Sequence, residues 1–280
     1  MFYLLKSFIQ MKILINNSDL NEALNNAKNL GFVPTMGSLH QGHISLIKKS
    51  LNECNKTIVS IFINPTQFNN KNDYKKYPRN YKKDLAILKR LKVDYLYMPE
   101  IKNIYDSVRM TKIKLVEKDK ILCAKYRKGH FEGVLDIMDR LTNKIKPQKI
   151  FMGKKDFQQL YLVRKYIEKK HKTKIVFCKT IRSHNKLAVS SRNFLLNKKY
   201  LNKAGKIAQN LITFKKLIRR KKNINEMIKS KKIELTKKFQ INIEYFELRS
   251  LNNLKISNTI KNSNLFIAYY INNIRLIDNF

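Results

Sequence analysis

His40 and His43 flank Gly42 in the segment PTMGSLHQGH, residues 34 to 43, and they are two of only five histidines in the chain. An imidazole can donate an N–H bond to a phosphate oxygen as charge builds there, and a glycine lets the backbone approach a ligand closely. The spacing Gly37-x-x-x-x-Gly42 resembles a phosphate-binding P-loop, but His43 and Ile44 stand where Lys and Ser or Thr would be needed. No G-x-G-x-x-G follows a strand either, so both common nucleotide loops are excluded. The segment lies between a strand and a helix, where helix N-terminal N–H groups and the macrodipole favour an anion. The chemistry it suits is phosphate binding with charge stabilisation during transfer. Two ordinary loop histidines are the plainer alternative.

Three further groups could complete such a site. In Gly153-Lys154-Lys155-Asp156 the Lys155 ammonium offers a point charge to phosphates and Asp156 can order the loop. A solvated lysine at a helix start would look the same in so lysine-rich a chain. Ser190, Ser191 and Arg192 supply two hydroxyls and a guanidinium fork suited to phosphate, or else a helix cap beside a surface arginine. Gln67 and Gln159 each carry one acceptor and two donors, which suits a hydroxyl-bearing carboxylate, although either alone would pass for a surface glutamine.

These residues need a frame that brings loops together. Gly31 to Pro34 reads as a strand, Leu46, Ile47, Leu51 and Cys54 recur at helical spacing, and Thr57 to Asn64 is rich in β-formers, which makes a βαβ unit. Leu85, Leu88 and Leu91 predict a helix before a strand at Val93 to Tyr97. Leu135, Met138, Leu141 and Ile145 predict another before Lys149 to Met152, and a helix over about 156 to 168 precedes Lys174 to Cys178. Alternating strands and helices imply an α/β fold, a parallel sheet covered on both faces, with ligands at the carboxyl ends of its strands. All five prolines fall at or before Pro147, and the chain changes character near 180. Beyond it the pattern predicts a helix over about 198 to 220, the basic stretch FKKLIRRKKN, a short helix, and strands at Ile241 to Leu248 and Leu265 to Ile271. That is a smaller α+β domain.

Composition bounds the alternatives. At 280 residues the chain has room for roughly two domains of about 150 residues. With 43% hydrophobic and 10% aromatic residues it is a globular mix, which excludes a collagen, a coiled coil and a disordered tail. No apolar run approaches the roughly 18 residues that span a bilayer, and MFYLLKSFIQ lacks the basic start and cleavage site of a secretory signal. Cys54, Cys123 and Cys178 share no CxxC spacing, so neither a disulfide framework nor a structural zinc is suggested and a reducing cytoplasm is expected. Lys and Arg number 59 against 20 acids, a net +39 that invites a nucleic-acid reading. Abundant Lys, Asn, Ile, Tyr and Phe with 7 Gly and no Trp is also what A+T-rich coding produces. The lysines at 82–83, 215–216, 221–222 and 231–232 lack the aromatic interleaving of a single-strand platform, so no specific nucleic-acid or membrane partner is expected.

Six ordered motifs resemble the pantothenate synthetase family of the HxGH nucleotidyltransferases: PTMGSLHQGH (34 to 43), VSIFINPTQF (59 to 68), YPR (77 to 79), GHFEGV (129 to 134), GKKDFQQL (153 to 160) and SSRN (190 to 193). The resemblance covers almost the whole chain from about Met11. It implies a ligase of pantothenate biosynthesis that condenses pantoate with β-alanine through a pantoyl adenylate, consuming ATP, requiring Mg²⁺ and releasing pyrophosphate and AMP. A Rossmann-like ATP- and pantoate-binding domain over 11–180, a smaller domain over 181–280 covering the active site, and a homodimer are further implications. Carried onto this sequence, the ATP site is lined by Met36, Gly37, Ser38, Leu39, His40, Gln41, Gly42 and His43, then Gly153, Lys154, Lys155 and Asp156, then Ile181, Val189, Ser190, Ser191 and Arg192. His43 is the proton or hydrogen-bond donor, with His40, Lys155 and Arg192 as its catalytic companions. Ile181 packs on adenine, while Gln67 and Gln159 hold pantoate or β-alanine.

Some positions depart from the family. The helix after YPR is usually acidic and helps hold hydrated Mg²⁺, whereas here Lys82-Lys83-Asp84 leaves Asp84 alone as a weak, water-mediated contact. Val189 replaces a usual methionine, Lys154 a frequent glutamate, and Lys186 takes a loop position often occupied by glycine. Residues 1–10 precede the usual family start, so Met11 is a candidate initiator. Two competitors remain: an HxGH adenylyltransferase acting on a phosphate, disfavoured by the paired glutamines and the lack of a second basic phosphate site, and a basic nucleic-acid-binding protein.

Overall fold

Six short runs of β-branched and aromatic residues pair as one parallel sheet: β1 (Lys12–Leu14), β2 (Leu30–Thr35), β3 (Lys56–Ile61), β4 (Tyr95–Tyr97), β5 (Lys149–Gly153) and β6 (Lys174–Cys178). This computed structural model describes residues 10–69, 71–105, 113–221 and 223–280, so residues 1–9 and Lys222, named above, lie outside the described residues. The strand order is β1-β4-β3-β2-β5-β6, with Phe32 opposite Ile58 on one side of β2 and opposite Ile150 on the other. Such strands are apolar on both faces, and Phe32, Ile58, Leu96, Ile150 and Phe151 are fully or almost fully buried. The α/β reading holds.

The strand after the first helix stops earlier than its β-rich composition predicts. Beyond Ile61 the chain turns into a short 3₁₀ segment, Pro65–Gln67, because Pro65 supplies a preset φ at its first position and the Asn64 side chain accepts the Thr66 N–H. The helix predicted over 156 to 168 is broken into a 3₁₀ turn (Lys154–Asp156), an α-helix (Phe157–Val163) and a π-helical stretch (Arg164–Glu168). Strand β1 and the helix Asn17–Leu24 escape the periodicity reading, since a three-residue strand offers too few positions to show a period.

The first of two compact units runs to Asp119 and includes Arg127–Gly153 and Gln159–Cys178; the second comprises Lys120–Tyr126, Lys154–Gln158 and Lys179–Phe280. Two short segments inside the first stretch of sequence therefore belong to the second unit. That second unit carries an antiparallel sheet of β7 (Asn242–Ser250), β8 (Ser263–Ile271) and β9 (Ile274–Asn279), packed with the helices Lys198–Leu217 and Ile224–Phe239. The second helix has 16 residues and is not short: Ile224, Ile228, Leu235 and Phe239 bury one side of a lysine-rich helix. Strand β9 was not expected because Asp278 and Asn279 interrupt its apolar pattern. It follows Asn272 and Asn273, whose φ values of 48° and 60° make the paired left-handed turn that asparagine tolerates in hairpins. Among the described residues no helix is long and apolar enough to cross a membrane, and Cys54, Cys123 and Cys178 are buried free thiols.

Candidate active site

The chain leaves β2 toward β3 and β4 on one side, then returns to lay β5 and β6 on the other. Open α/β sheets bind ligands beside such a reversal, at the carboxyl ends of the strands. Here β2 runs into Met36 to His40 and the helix Gln41–Glu53 begins. Gly37 and Ser38 take left-handed φ values of 77° and 52°, which turns successive main-chain N–H groups inward. Ser38 N–H donates to Asp84 Oδ2 at 2.8 Å and Leu39 N–H to Asp84 Oδ1 at 2.7 Å. The carboxylate, on the helix Tyr81–Arg90, is only 1% exposed. A side chain on Gly37 would place its Cβ 3.0 Å from Asp84 Oδ2, so glycine is needed there for space as well as for φ.

Asp84, expected as a weak, water-mediated metal contact, is the acceptor for this loop. Both its oxygens hold the loop's backbone, and its burial leaves little room for the shell of a hydrated ion. Among the described residues no three His, Cys, Asp or Glu side chains cluster as a metal site. An ion here would take most of its ligands from phosphates and water.

His40 caps the helix Gln41–Glu53, and its ring stacks on His43 with centroids 4.0 Å apart and planes at 25°. His40 Nδ1 accepts the Gly42 N–H at 3.1 Å, and His43 Nδ1 accepts the His40 N–H at 3.4 Å. A nitrogen that accepts is unprotonated, so in each neutral ring the proton sits on Nε2. Both imidazoles are thereby set as Nε2 donors at a helix N-terminus. Gln41 is exposed at the start of the helix and Met36 is half-buried at the end of the strand.

Gln67 is held from several directions within the same unit. Its side-chain amide meets Met36 Sδ at 2.7 Å, and its carbonyl oxygen lies 2.7 Å from His130 Nδ1. Arg127 lies 2.8 Å from the other ring nitrogen, which fixes His130 as the donor to that carbonyl. The turn beneath is tied by Asn64, whose Nδ2 donates to Gly133 O at 3.0 Å and whose Oδ1 accepts from Tyr105 at 2.7 Å. Burial pushes the Tyr105 phenol up, which keeps it a neutral donor. At Gly133 a Cβ would come within 2.5 Å of Thr66 O, so the GHFEGV motif needs glycine for the helix His130–Ile145 to approach the turn. Gln159 is half-buried on the separate helix Phe157–Val163, and Gly153 ends β5.

In the second unit Lys155 Nζ lies 3.3 Å from Asp156 Oδ1 on the 3₁₀ turn, while Lys154 is exposed. The Asn279 amide donates to Lys154 O at 2.8 Å and Lys155 O at 2.9 Å. Ile181 and Val189 are brought together, with Val189 N–H on Ile181 O at 3.0 Å, across a narrow hairpin whose Arg182 forks onto Asp278 at 2.7 and 2.9 Å. Burial pushes the Asp278 carboxyl up while the Arg182 guanidinium pulls it back. Ser190 Oγ accepts the Arg192 N–H at 3.3 Å and so caps the turn Ser191–Leu195. Ser191 is buried and Arg192 half-buried. Asn279, Asp278 and Arg182 escaped the sequence reading; the only signal was a polar Asp-Asn pair closing an apolar run.

Residues 10–280 match the profile of a family described as pantoate-beta-alanine ligase. A pantothenate synthetase of Flavobacterium psychrophilum is 43% identical over 270 residues, covering 93% of this chain and 94% of its own length. One from Francisella philomiragia is 40% identical over 266 residues, covering 93% and 92%. The crystal structure of pantothenate synthetase from Thermus thermophilus superposes with a TM-score of 0.90 at 28% identity, covering 96% of this chain and 99% of that one. The pantoate-beta-alanine ligase of Francisella tularensis, solved with beta-gamma ATP and beta-alanine, gives a TM-score of 0.80 at 36% identity, covering 96% and 97%.

Proposed function

The chain belongs to the pantoate-beta-alanine ligase family and joins pantoate to β-alanine in an ATP-dependent condensation, and we propose that it does so through a pantoyl adenylate formed around the His40 and His43 donors. In the first step a pantoate carboxylate oxygen attacks the α-phosphorus and pyrophosphate leaves. In the second the neutral amine of β-alanine attacks the acyl carbon, AMP leaves, and the new amide nitrogen gives up its proton. A carboxylate is already ionised at neutral pH, so the first step needs alignment and charge stabilisation more than a strong base.

The observation that carries this reading is the Nδ1 acceptance in both histidines, which puts their protons on Nε2 beside the macrodipole of the helix Gln41–Glu53. In this assignment Met36, Gly37, Ser38, Leu39 and Gln41 with Gly42 shape the nucleotide loop. Gly153, Lys154, Lys155, Asp156, Ser190, Ser191 and Arg192 meet phosphates, and Ile181 and Val189 meet adenine. Gln67 and Gln159 take the pantoate hydroxyl and carboxylate or β-alanine. Mg²⁺ arrives with the ATP phosphates and water rather than on Asp84, and no step is assigned to it. The protein works as a cytoplasmic homodimer in this reading.

The test is pantoate-dependent exchange of labelled pyrophosphate into ATP. Exchange that requires pantoate supports the adenylate; exchange without pantoate, or none at all in an enzyme that still makes pantothenate, refutes it. His43→Ala should lower the adenylation rate by about 10² to 10³, the effect of losing one preorganised donor, with a smaller change in ATP KM. A single-turnover adenylation rate equal to the parent's would remove His43 from the mechanism.

A further inference from the structure

Two main-chain carbonyls, Lys154 O and Lys155 O, point at one buried side chain. Asn279, 6% exposed at the end of β9, donates through Nδ2 to the first at 2.8 Å and to the second at 2.9 Å. A primary amide has two N–H bonds in one plane, so it is the group that satisfies two adjacent acceptors. Its orientation is set from behind. Asn279 Oδ1 accepts from Asn264 Nδ2 at 2.9 Å, and Asn264 Oδ1 in turn accepts from Lys215 Nζ at 2.8 Å. An ammonium can only donate, so Asn264 must present oxygen to Lys215 and N–H to Asn279, which leaves the Asn279 N–H groups aimed at the lysine turn. The main chain of Asn279 is fixed as well: its N–H meets Asp278 Oδ1 at 2.7 Å and its carbonyl accepts from Arg182 at 2.9 Å.

We propose that Asn279 is a positioning residue for adenylation, holding the Lys154–Asp156 turn in the one orientation from which the Lys155 ammonium meets the nucleotide phosphates. The inference rests on the assignment of Lys155 to phosphate made above. The Asn279 side chain spends its donors on the two carbonyls and its oxygen on Asn264. It acts through the direction in which the turn presents Lys155, whose own ion pair with Asp156 at 3.3 Å is too loose to fix that direction. Asparagine is specified there because aspartate, nearly the same size, would set a carboxylate oxygen against two carbonyl oxygens.

The experiment is a double-mutant cycle on the full chain, with Asn279→Asp and Asn279→Ala each made alone and together with Lys155→Ala, read by pantoate-dependent pyrophosphate exchange and thermal unfolding. Misplacing a phosphate contact by about 1 Å lowers rates by up to about 10²; the single Asn279 variants should lose between about 10-fold and that limit in adenylation, with pantoate KM unchanged. On the Lys155→Ala background the same changes should cost almost nothing further, because the group being positioned is gone. A merely structural role would give the same fold-loss on both backgrounds and would overturn the proposal, as would full activity in folded single variants when Lys155→Ala is impaired. Full activity of Lys155→Ala alone would instead sink the phosphate assignment, and this inference with it. Should Asn279→Asp not fold, Asn279→Ala, which removes the donors without adding charge, decides the outcome by the same criteria.

Discussion

The two units anchor one turn each with buried side chains of opposite polarity. In the parallel-sheet unit the loop after β2 turns its N–H groups inward, and a buried carboxylate, Asp84, accepts from Ser38 and Leu39. In the antiparallel-sheet unit the turn at Lys154 shows its carbonyls, and a buried amide, Asn279, donates to both. The difference follows from which main-chain groups each turn points into the fold. The first loop turns its N–H groups into the fold, where only an acceptor can satisfy them. The Lys154–Asp156 turn points two carbonyls inward, and only a donor can satisfy them. Asp and Asn differ by one atom and a charge, yet exchanging them between these positions would disrupt both.

That exchange is the most direct way to break the comparison. Asp84→Asn should cause the largest effect, about 2 to 4 kcal/mol of stability in urea unfolding, because a carboxamide leaves at least one buried N–H facing a donor and removes a charged acceptor. A midpoint equal to the parent's would show that Asp84 is not the loop's anchor. The reciprocal Asn279→Asp, already proposed for kinetics, should lose about 1 to 3 kcal/mol, since neutral hydrogen bonds are weaker than charged ones. If it proved the more damaging of the two, the ranking of carboxylate over amide would be reversed.

Backbone conformation gives the smaller tests. Gly37 stands at φ 77° in the first region and Lys186 at φ 71° in the hairpin of the second. Gly37→Ala should cost about 1 to 2 kcal/mol from the left-handed conformation, with crowding of Asp84 in addition. Lys186→Gly should have the smallest effect and the opposite sign, a gain of about 0.5 to 1 kcal/mol, since relief of the left-handed side chain exceeds the added freedom of the unfolded chain. A lower melting temperature for Lys186→Gly would show that the lysine side chain contributes more than its backbone costs.

These anchors explain which parts of the molecule could be read from sequence. Strands β2 to β6 of the parallel sheet were legible because they are apolar runs between amphipathic helices, and PTMGSLHQGH was legible because histidines and glycines are scarce here. The helix Ile224–Phe239 was read too short because its buried residues are diluted by lysines. Asp84 drew attention through the family's acidic helix, where it is the one acid beside two lysines, but its hydrogen-bond partners lie 45 and 46 residues away and are main-chain N–H groups that leave no mark in the sequence. Asn279 gave still less signal, its targets being backbone carbonyls 124 and 125 residues distant. Side chains that serve the main chain leave no complementary residue to notice.

The placement of β1 sets an order of assembly. Strand β2 can pair with β3 across a single intervening helix, but β1, although earlier in the chain than either, has among the described residues its only sheet neighbour in β4, where Lys12 meets Tyr95 and Leu14 meets Tyr97. As the chain leaves the ribosome, β1 emerges before the edge it will occupy exists. Its pairing should follow the extension of the sheet by β3 and β4, and it then closes the longest loop on that side for only three paired residues. The same imbalance acts in reverse in the finished protein: its amides should be the first of the parallel sheet to exchange with solvent, while those of β2, walled in on both sides, exchange last.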